Sequence, residues 1–210
     1  MSLPAVLGIA SQNAHKISEI QAICRDWEGV QWITAEDDPR TWPDVEETGS
    51  TYLENALLKG HAVASFLGIP VVADDSGIEV DSLGGAPGPR SARYAGETAT
   101  DAQNLRALIA AVKGIPSGGR TARYRCVAVA CWPDGREIWA EGTVEGLLIT
   151  KPRGEGGFGY DPIFLPEGWE DTMAELSAEQ KDRISHRGRA FRALRDLLAR
   201  EVGAETTEER

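Results

Sequence analysis

The stretch VVADDSGIEVDSLGGAPGPRSARY, residues 71–94, decides how this chain is read. Val71, Val72 and Ala73 form a short apolar run that leads into adjacent carboxylates, Asp74 and Asp75, followed by Ser76 and Gly77. An apolar run ending at turn residues reads as a buried strand. Acids at the C-terminal end of such a strand stand where open α/β sheets bind ligands. Two neighbouring carboxylates repel unless a cation joins them. Mg2+ is the hard cation that suits oxygen donors and leaves room for phosphate. The same residues also read as a solvated turn, because Asp, Ser and Gly are turn formers.

Upstream, Ala5 to Ala10 reads as a buried first strand, followed by Ser11-Gln12-Asn13-Ala14-His15-Lys16 and an amphipathic helix. Ile17, Ile20, Ile23, Cys24 and Trp27 share one face of that helix. Strand, polar turn and helix start together form an arrangement that meets anions. Lys16 in the first turn opposes the helix dipole and makes better sense facing a phosphate. A plain helix cap from Ser11 or Asn13 is the alternative. Val30 to Thr34 reads as a second strand, and residues 35–47 as an acidic loop. Thr51 and Glu54 form a capping box for a helix carrying Leu53, Ala56, Leu57, Ala64 and Leu67, closed by Gly68 and Pro70. Glu46 or Glu47, just before it, is either an acid favoured by the helix dipole or a third oxygen ligand for the metal.

Downstream, Thr100 and Gln103 repeat the capping box before a helix with Leu105, Leu108, Ile109 and Val112. Arg123 to Trp132, the turn Pro133-Asp134-Gly135, and Glu137 to Ile149 read as a β-hairpin, which makes the sheet mixed. The Gly-rich loop 151–162 presents Phe158 and Tyr160, a composition that suits stacking on a planar base. A packing loop under a sheet edge is the alternative. Ser185, His186 and Arg187 gather at a break before a last amphipathic helix with Phe191, Leu194, Leu197 and Leu198. Residues 203–210 read as a polar tail expected to fray.

The whole is expected to be one domain over residues 1–202. Its 41% hydrophobic and 26% charged content over 210 residues is ordinary for a soluble globular protein. No apolar run approaches the roughly 18 residues of a membrane span. The N-terminus lacks a basic leader region, so a cytoplasmic location is expected and no membrane partner. Cys24, Cys126 and Cys131 lack metal-ligand spacing and read as buried free thiols. A net charge of −11 argues against a nucleic-acid polymer as partner. A small polyanion held by a local basic cluster remains compatible.

Five blocks in order carry a resemblance: SQNAHK (11–16), EETG with TYLENALLKG (46–60), ADDSGIEVDSLGGAPGPRSARYAG (73–96), GGFGYDPIF (156–164) and AELSAEQKDRISHRG (174–188). Together they resemble the inosine triphosphate pyrophosphatase, or Ham1-like, family of hydrolases acting on non-standard purine nucleotides. The resemblance implies a two-lobed α/β fold around a long mixed β-sheet flanked by helices, with the site in the cleft, and a homodimer. It implies Mg2+-dependent hydrolysis of ITP, dITP or XTP to the monophosphate and pyrophosphate. Asp75 would be the proton acceptor and a metal contact, supported by Asp74, with Glu47 or Glu46 completing the metal shell. Ser11, Gln12, Asn13, Ala14, His15 and Lys16 would line the triphosphate, with Ser76 beside it. Phe158, Gly159, Tyr160 and Asp161 would frame the nucleoside, and Lys181, His186 and Arg187 would reach the base or phosphate edge. Ser11 stands where the family commonly has threonine, which keeps the hydroxyl. His15 and Arg90 also depart from the usual pattern and spare the implied ligands.

Donors placed against the 6-oxo group of hypoxanthine or xanthine would be left facing the 6-amino donor of adenine, and unpaired buried polar groups reject a substrate strongly. Three other readings compete. They are a nucleotide sensor without turnover, a Maf-like pyrophosphatase of modified pyrimidine nucleotides, and a phosphatase releasing orthophosphate.

Overall fold

A computed structural model describes residues 3–208. Its strands are β1 (Val6–Ile9), β2 (Gln31–Ile33), β3 (Val71–Val80), β4 (Thr121–Cys131), β5 (Glu137–Leu148) and β6 (Phe164–Pro166). Its helices are α1 (Ala14–Ile23), α2 (Tyr52–Leu67), α3 (Asp101–Val112), α4 (Ala178–Ile184) and α5 (His186–Glu208). The sheet order is β2-β1-β3-β4-β5-β6. β1 runs parallel to both β2 and β3, whereas β5 and β6 are antiparallel, so the α/β sheet is mixed.

Helix boundaries follow local chemistry. Asn13 caps α1, its side chain accepting from the His15 and Lys16 amides. Thr51 with Glu54, Thr100 with Gln103, and Ser177 with Gln180 each close a capping box, satisfying otherwise orphaned helix-start N–H groups. Gly68 ends α2 in the left-handed conformation. Residues 203–208, expected as a tail, continue α5, and 209–210 lie outside the described residues.

The central correction concerns β3. The strand does not stop at Ala73 but runs ten residues through Asp74, Asp75, Ser76 and Gly77, and both acids are buried in it. The solvated-turn reading therefore fails, as does the placement of the acids at a strand end. Tertiary burial has overridden the turn preference of these residues.

The chain divides into two compact units, Met1–Asp75 with Cys126–Gly142 and Arg187–Arg210, and Ser76–Arg125 with Thr143–His186. In the first, period-two alternation sorts side chains to opposite faces. Leu7, Ile9, Val72, Cys126 and Ala128 pack with Ile20 and Ile23 of α1 and Phe191, Leu194 and Leu198 of α5. Val71, Ala73, Val127 and Val129 pack instead with Ala56, Val63 and Ala64 of α2. In the second unit, Ile78, Val80, Ala122, Tyr124, Val144 and Phe164 enclose a core with Leu108 and Val112 of α3. β6, which supplies Phe164 to that core, was not anticipated, being three residues long.

Candidate active site

The alternation that sorts the core also separates the two acids. Asp74 continues the Val72 face and meets α1 and α5. Asp75 continues the Ala73 face and meets α2.

Asp74 is fully enclosed. Its Oδ2 accepts from Arg187 Nε at 3.2 Å and Nη2 at 3.1 Å, and lies 3.3 Å from Lys16 Nζ. Its Oδ1 is buried without a hydrogen-bond partner among the described residues. Burial alone would lift the Asp74 carboxyl, but Lys16, Arg187 and Lys59 together hold it well below the usual carboxylate range. Arg187 is itself buried, and its Nη1 donates to Glu19 at 2.5 Å.

Asp75 has different company. Asn55 Nδ2 donates to its Oδ2 at 3.2 Å, and Lys59 Nζ stands 3.7 Å from its Oδ1. Lys59 also donates to Glu47 Oε1 at 2.6 Å. Burial raises the Asp75 pKa, with Glu47 adding to the effect and Lys59 and Lys16 opposing it. Burial works against the Lys59 ammonium as well, yet Asp75, Asp74 and Glu47 outweigh it and raise its pKa. The outcome is a dry carboxylate with raised proton affinity beside a firmly charged ammonium. Such a group can take a proton from water more readily than an exposed aspartate.

The second unit builds a separate set around Asp161. The Asp161 carboxylate accepts from Lys181 Nζ at 2.7 Å, the Phe158 amide at 3.0 Å and Tyr124 OH at 3.1 Å. Gly157, at φ +68°, allows this wrap, since a Cβ there would lie 2.1 Å from Asp161 Oδ2. Lys181 Nζ sits 5.2 Å from the centre of the half-buried Phe158 ring. The His186 ring stacks on Tyr124, 4.6 Å between centroids and 8° between planes.

The Ham1 family's sequence profile matches residues 7–197. The chain belongs to the Ham1 family. The Streptomyces coelicolor dITP/XTP pyrophosphatase is 50% identical over 194 residues, covering 90% of this chain and 97% of its own. The dITP/XTP pyrophosphatase of Geobacillus kaustophilus is 47% identical over 196 residues, covering 93% of this chain and 95% of its own. The solved Staphylococcus aureus Ham1 protein superposes with a TM-score of 0.80 at 43% identity, covering 93% of this chain and 99% of its own. A Ham1 protein from Coxiella burnetii gives 0.80 at 38% identity, covering 94% and 98%.

Within this Ham1-family chain, several expected residues are placed differently from the sequence reading. Glu46 is exposed, whereas Glu47 is half-buried and joined to Lys59. Asp74 bonds Lys16 and Arg187, whereas Glu47 and Asp75 share Lys59. Among the described residues, no three His, Cys, Asp or Glu side chains form a ready metal cage. The Arg187 guanidinium donates to Asp74 and Glu19. Tyr160 is buried, and its OH donates to Ser91 O at 2.7 Å, so its ring packs the core instead of presenting a stacking face. Asp161 organises its own loop through three donors.

At the start of α1, Ser11 accepts from the Asn13 amide, Gln12 donates to Pro43 O, and Ala14 and His15 are exposed. Asn55, Lys59 and Glu19 were missed by sequence reasoning. The signal for the first two was present, since Asn55 and Lys59 lie four residues apart on one face of α2.

Proposed function

We propose that this protein hydrolyses non-standard purine nucleoside triphosphates, dITP, XTP and ITP, to the monophosphate and pyrophosphate. The observation that carries the reading is Asp75, a buried strand carboxylate of raised proton affinity, flanked by Glu47, Lys59 and Asn55. The dITP/XTP pyrophosphatases of Streptomyces coelicolor and Geobacillus kaustophilus point to the same substrates for this chain. Action in the cytoplasm, and as a homodimer, belongs to the same reading.

Glu47 and Asp75 fit a Mg2+ ion. Both offer oxygen donors, and the fold already places one positive charge, the Lys59 ammonium, against the two of them. Mg2+ is typically held by one or two carboxylates, with waters and substrate phosphates filling the rest. When bound there, the ion would neutralise charge on the phosphate oxygens. Asp75 receives the proton of the attacking water, and its burial keeps competing water away. Lys16, at the start of α1, faces the leaving pyrophosphate with the helix-start amides around Asn13 and with Ser11. Ser76 stands next in β3. The nucleoside-framing residues that the family resemblance implies are Phe158 and Gly159, and those implied for the base or phosphate edge are Lys181 and His186, all within the second unit. A 6-oxo acceptor satisfies donors there, whereas a 6-amino group leaves them unpaired.

A panel of dITP, XTP, ITP, dATP, ATP and GTP with Mg2+ tests this, with the products identified. Fast release of pyrophosphate from the first three is expected, and Asp75→Asn should remove it while the fold persists. Equal rates on ATP, or orthophosphate as the product, would refute the reading.

A further inference from the structure

Asn55 is 1% exposed on α2, in a helix whose other buried residues are almost all apolar. A buried amide costs stability unless its groups are paired. Here both ends are used: Oδ1 accepts from the Gly49 amide at 2.8 Å, and Nδ2 donates to Asp75 Oδ2 at 3.2 Å. A backbone N–H can only donate, so the Gly49 contact requires oxygen on that side and leaves the amide nitrogen for Asp75.

Gly49 is placed for this role. A Cβ there would lie 2.6 Å from Glu54 Cβ and 2.7 Å from Asn55 Oδ1. The surrounding turn is held by the Ser50 and Thr51 amides donating to Glu54 Oε2 at 2.6 and 3.2 Å. Glu47 precedes Gly49 by two residues in the same loop.

We infer that Asn55 is a positioning residue for Asp75, clamped in one amide orientation by Gly49 and tying the Glu47 loop to β3. The inference rests on the reading of Asp75 as the proton acceptor. Asn55 occupies Oδ2 with a donor that carries no charge at any working pH. Oδ2 is thereby occupied, and Oδ1 is held on the side facing Lys59. A base held in one orientation serves proton transfer better than one free to rotate.

The isosteric Asn55→Asp change separates positioning from packing. One carboxylate oxygen still accepts from Gly49, while the donor to Asp75 is lost. On dITP with Mg2+, kcat should fall about 10- to 100-fold while KM stays within about threefold. Hydrogen exchange at the Gly49 amide, followed by NMR, should stay slow in Asn55→Asp and become fast in Asn55→Ala. A kcat for Asn55→Asp within about threefold of the unaltered protein would overturn the inference. So would a Gly49 amide that exchanges as fast in the unaltered protein as in Asn55→Ala. Should Asn55→Asp not fold, Gly49→Ala, which crowds the clamp from the loop side, carries the same kcat criterion. Absence of dITP turnover by the unaltered protein would overturn the proposed function and this inference together. Turnover there with no effect of the variants would overturn the inference alone.

Discussion

Replacing Lys59 by methionine removes an ammonium that bonds Glu47 and faces Asp75, while roughly keeping the volume of the side chain. At an effective dielectric constant of about 20, a 2.6 Å contact to Glu47 is worth about 6 kcal/mol of gross attraction. The 3.7 Å approach to Asp75 is worth about 4.5 kcal/mol on the same basis. Desolvation of the three groups offsets most of this, and removing one partner of a buried pair typically costs about 3–5 kcal/mol. The Glu47 side chain keeps 23% of its exposure, so water can reach it, which lowers the expected loss to about 2–3 kcal/mol. At about 2–4 °C per kcal/mol for a chain of this size, Tm should fall by about 4–12 °C without metal. Mg2+ should then raise the Tm of Lys59→Met more than that of the unaltered protein, where the ion competes with the ammonium for the same carboxylates. Saturation at 100 times Kd is worth about 2.7 kcal/mol. Thermal unfolding followed by circular dichroism, with and without Mg2+, measures both effects. A fall of less than about 1 °C would refute the buried ion cluster. An equal Mg2+ response in the two proteins would refute the sharing of one position by Lys59 and the metal.

Three further outcomes are expected. Lys16→Ala should raise KM for dITP about 10- to 100-fold, the worth of one charged contact to phosphate, with a smaller change in kcat; an unchanged KM would return Lys16 to a purely structural pairing with Asp74. Asp161→Ala removes the carboxylate that accepts from the Lys181 ammonium, whose side chain is 9% exposed, and should cost about 3–5 kcal/mol in urea unfolding, with a loss below about 1 kcal/mol counting against it. Burial pushes the thiols of Cys24 and Cys126 well up and that of Cys131 to about 12. Ellman's reagent at about pH 8 should therefore find no reactive thiol in the folded protein and three after denaturation; a fast native reaction would contradict this burial.

The family, the α/β class, the capping boxes and most of the helices and strands were legible in the chain itself. Each rests on interactions between residues a few positions apart: Thr51 with Glu54, Asn13 with the amides that follow it, the apolar stripe of α1. Short-range signals of this kind survive in sequence because their partners are written next to each other. Asp75 was legible as a candidate too, since it stood out with its neighbours. The role of Asp74 was not. Adjacent residues in a strand face opposite ways, and that mattered only once β3 was seen to run through the acids. Its continuation depends on burial by distant segments, which no local turn propensity records. The partners then follow from packing. Arg187 is 113 residues from Asp74 and neutralises it. Lys59 and Asn55 reach Asp75 because α2 lies against the opposite face. Sequence alone determined which chemical groups are present and which stretches become helix or strand. Only the tertiary structure decided which charge meets which, because burial and pairing across long separations set both the cost of each ion and the partner that offsets it.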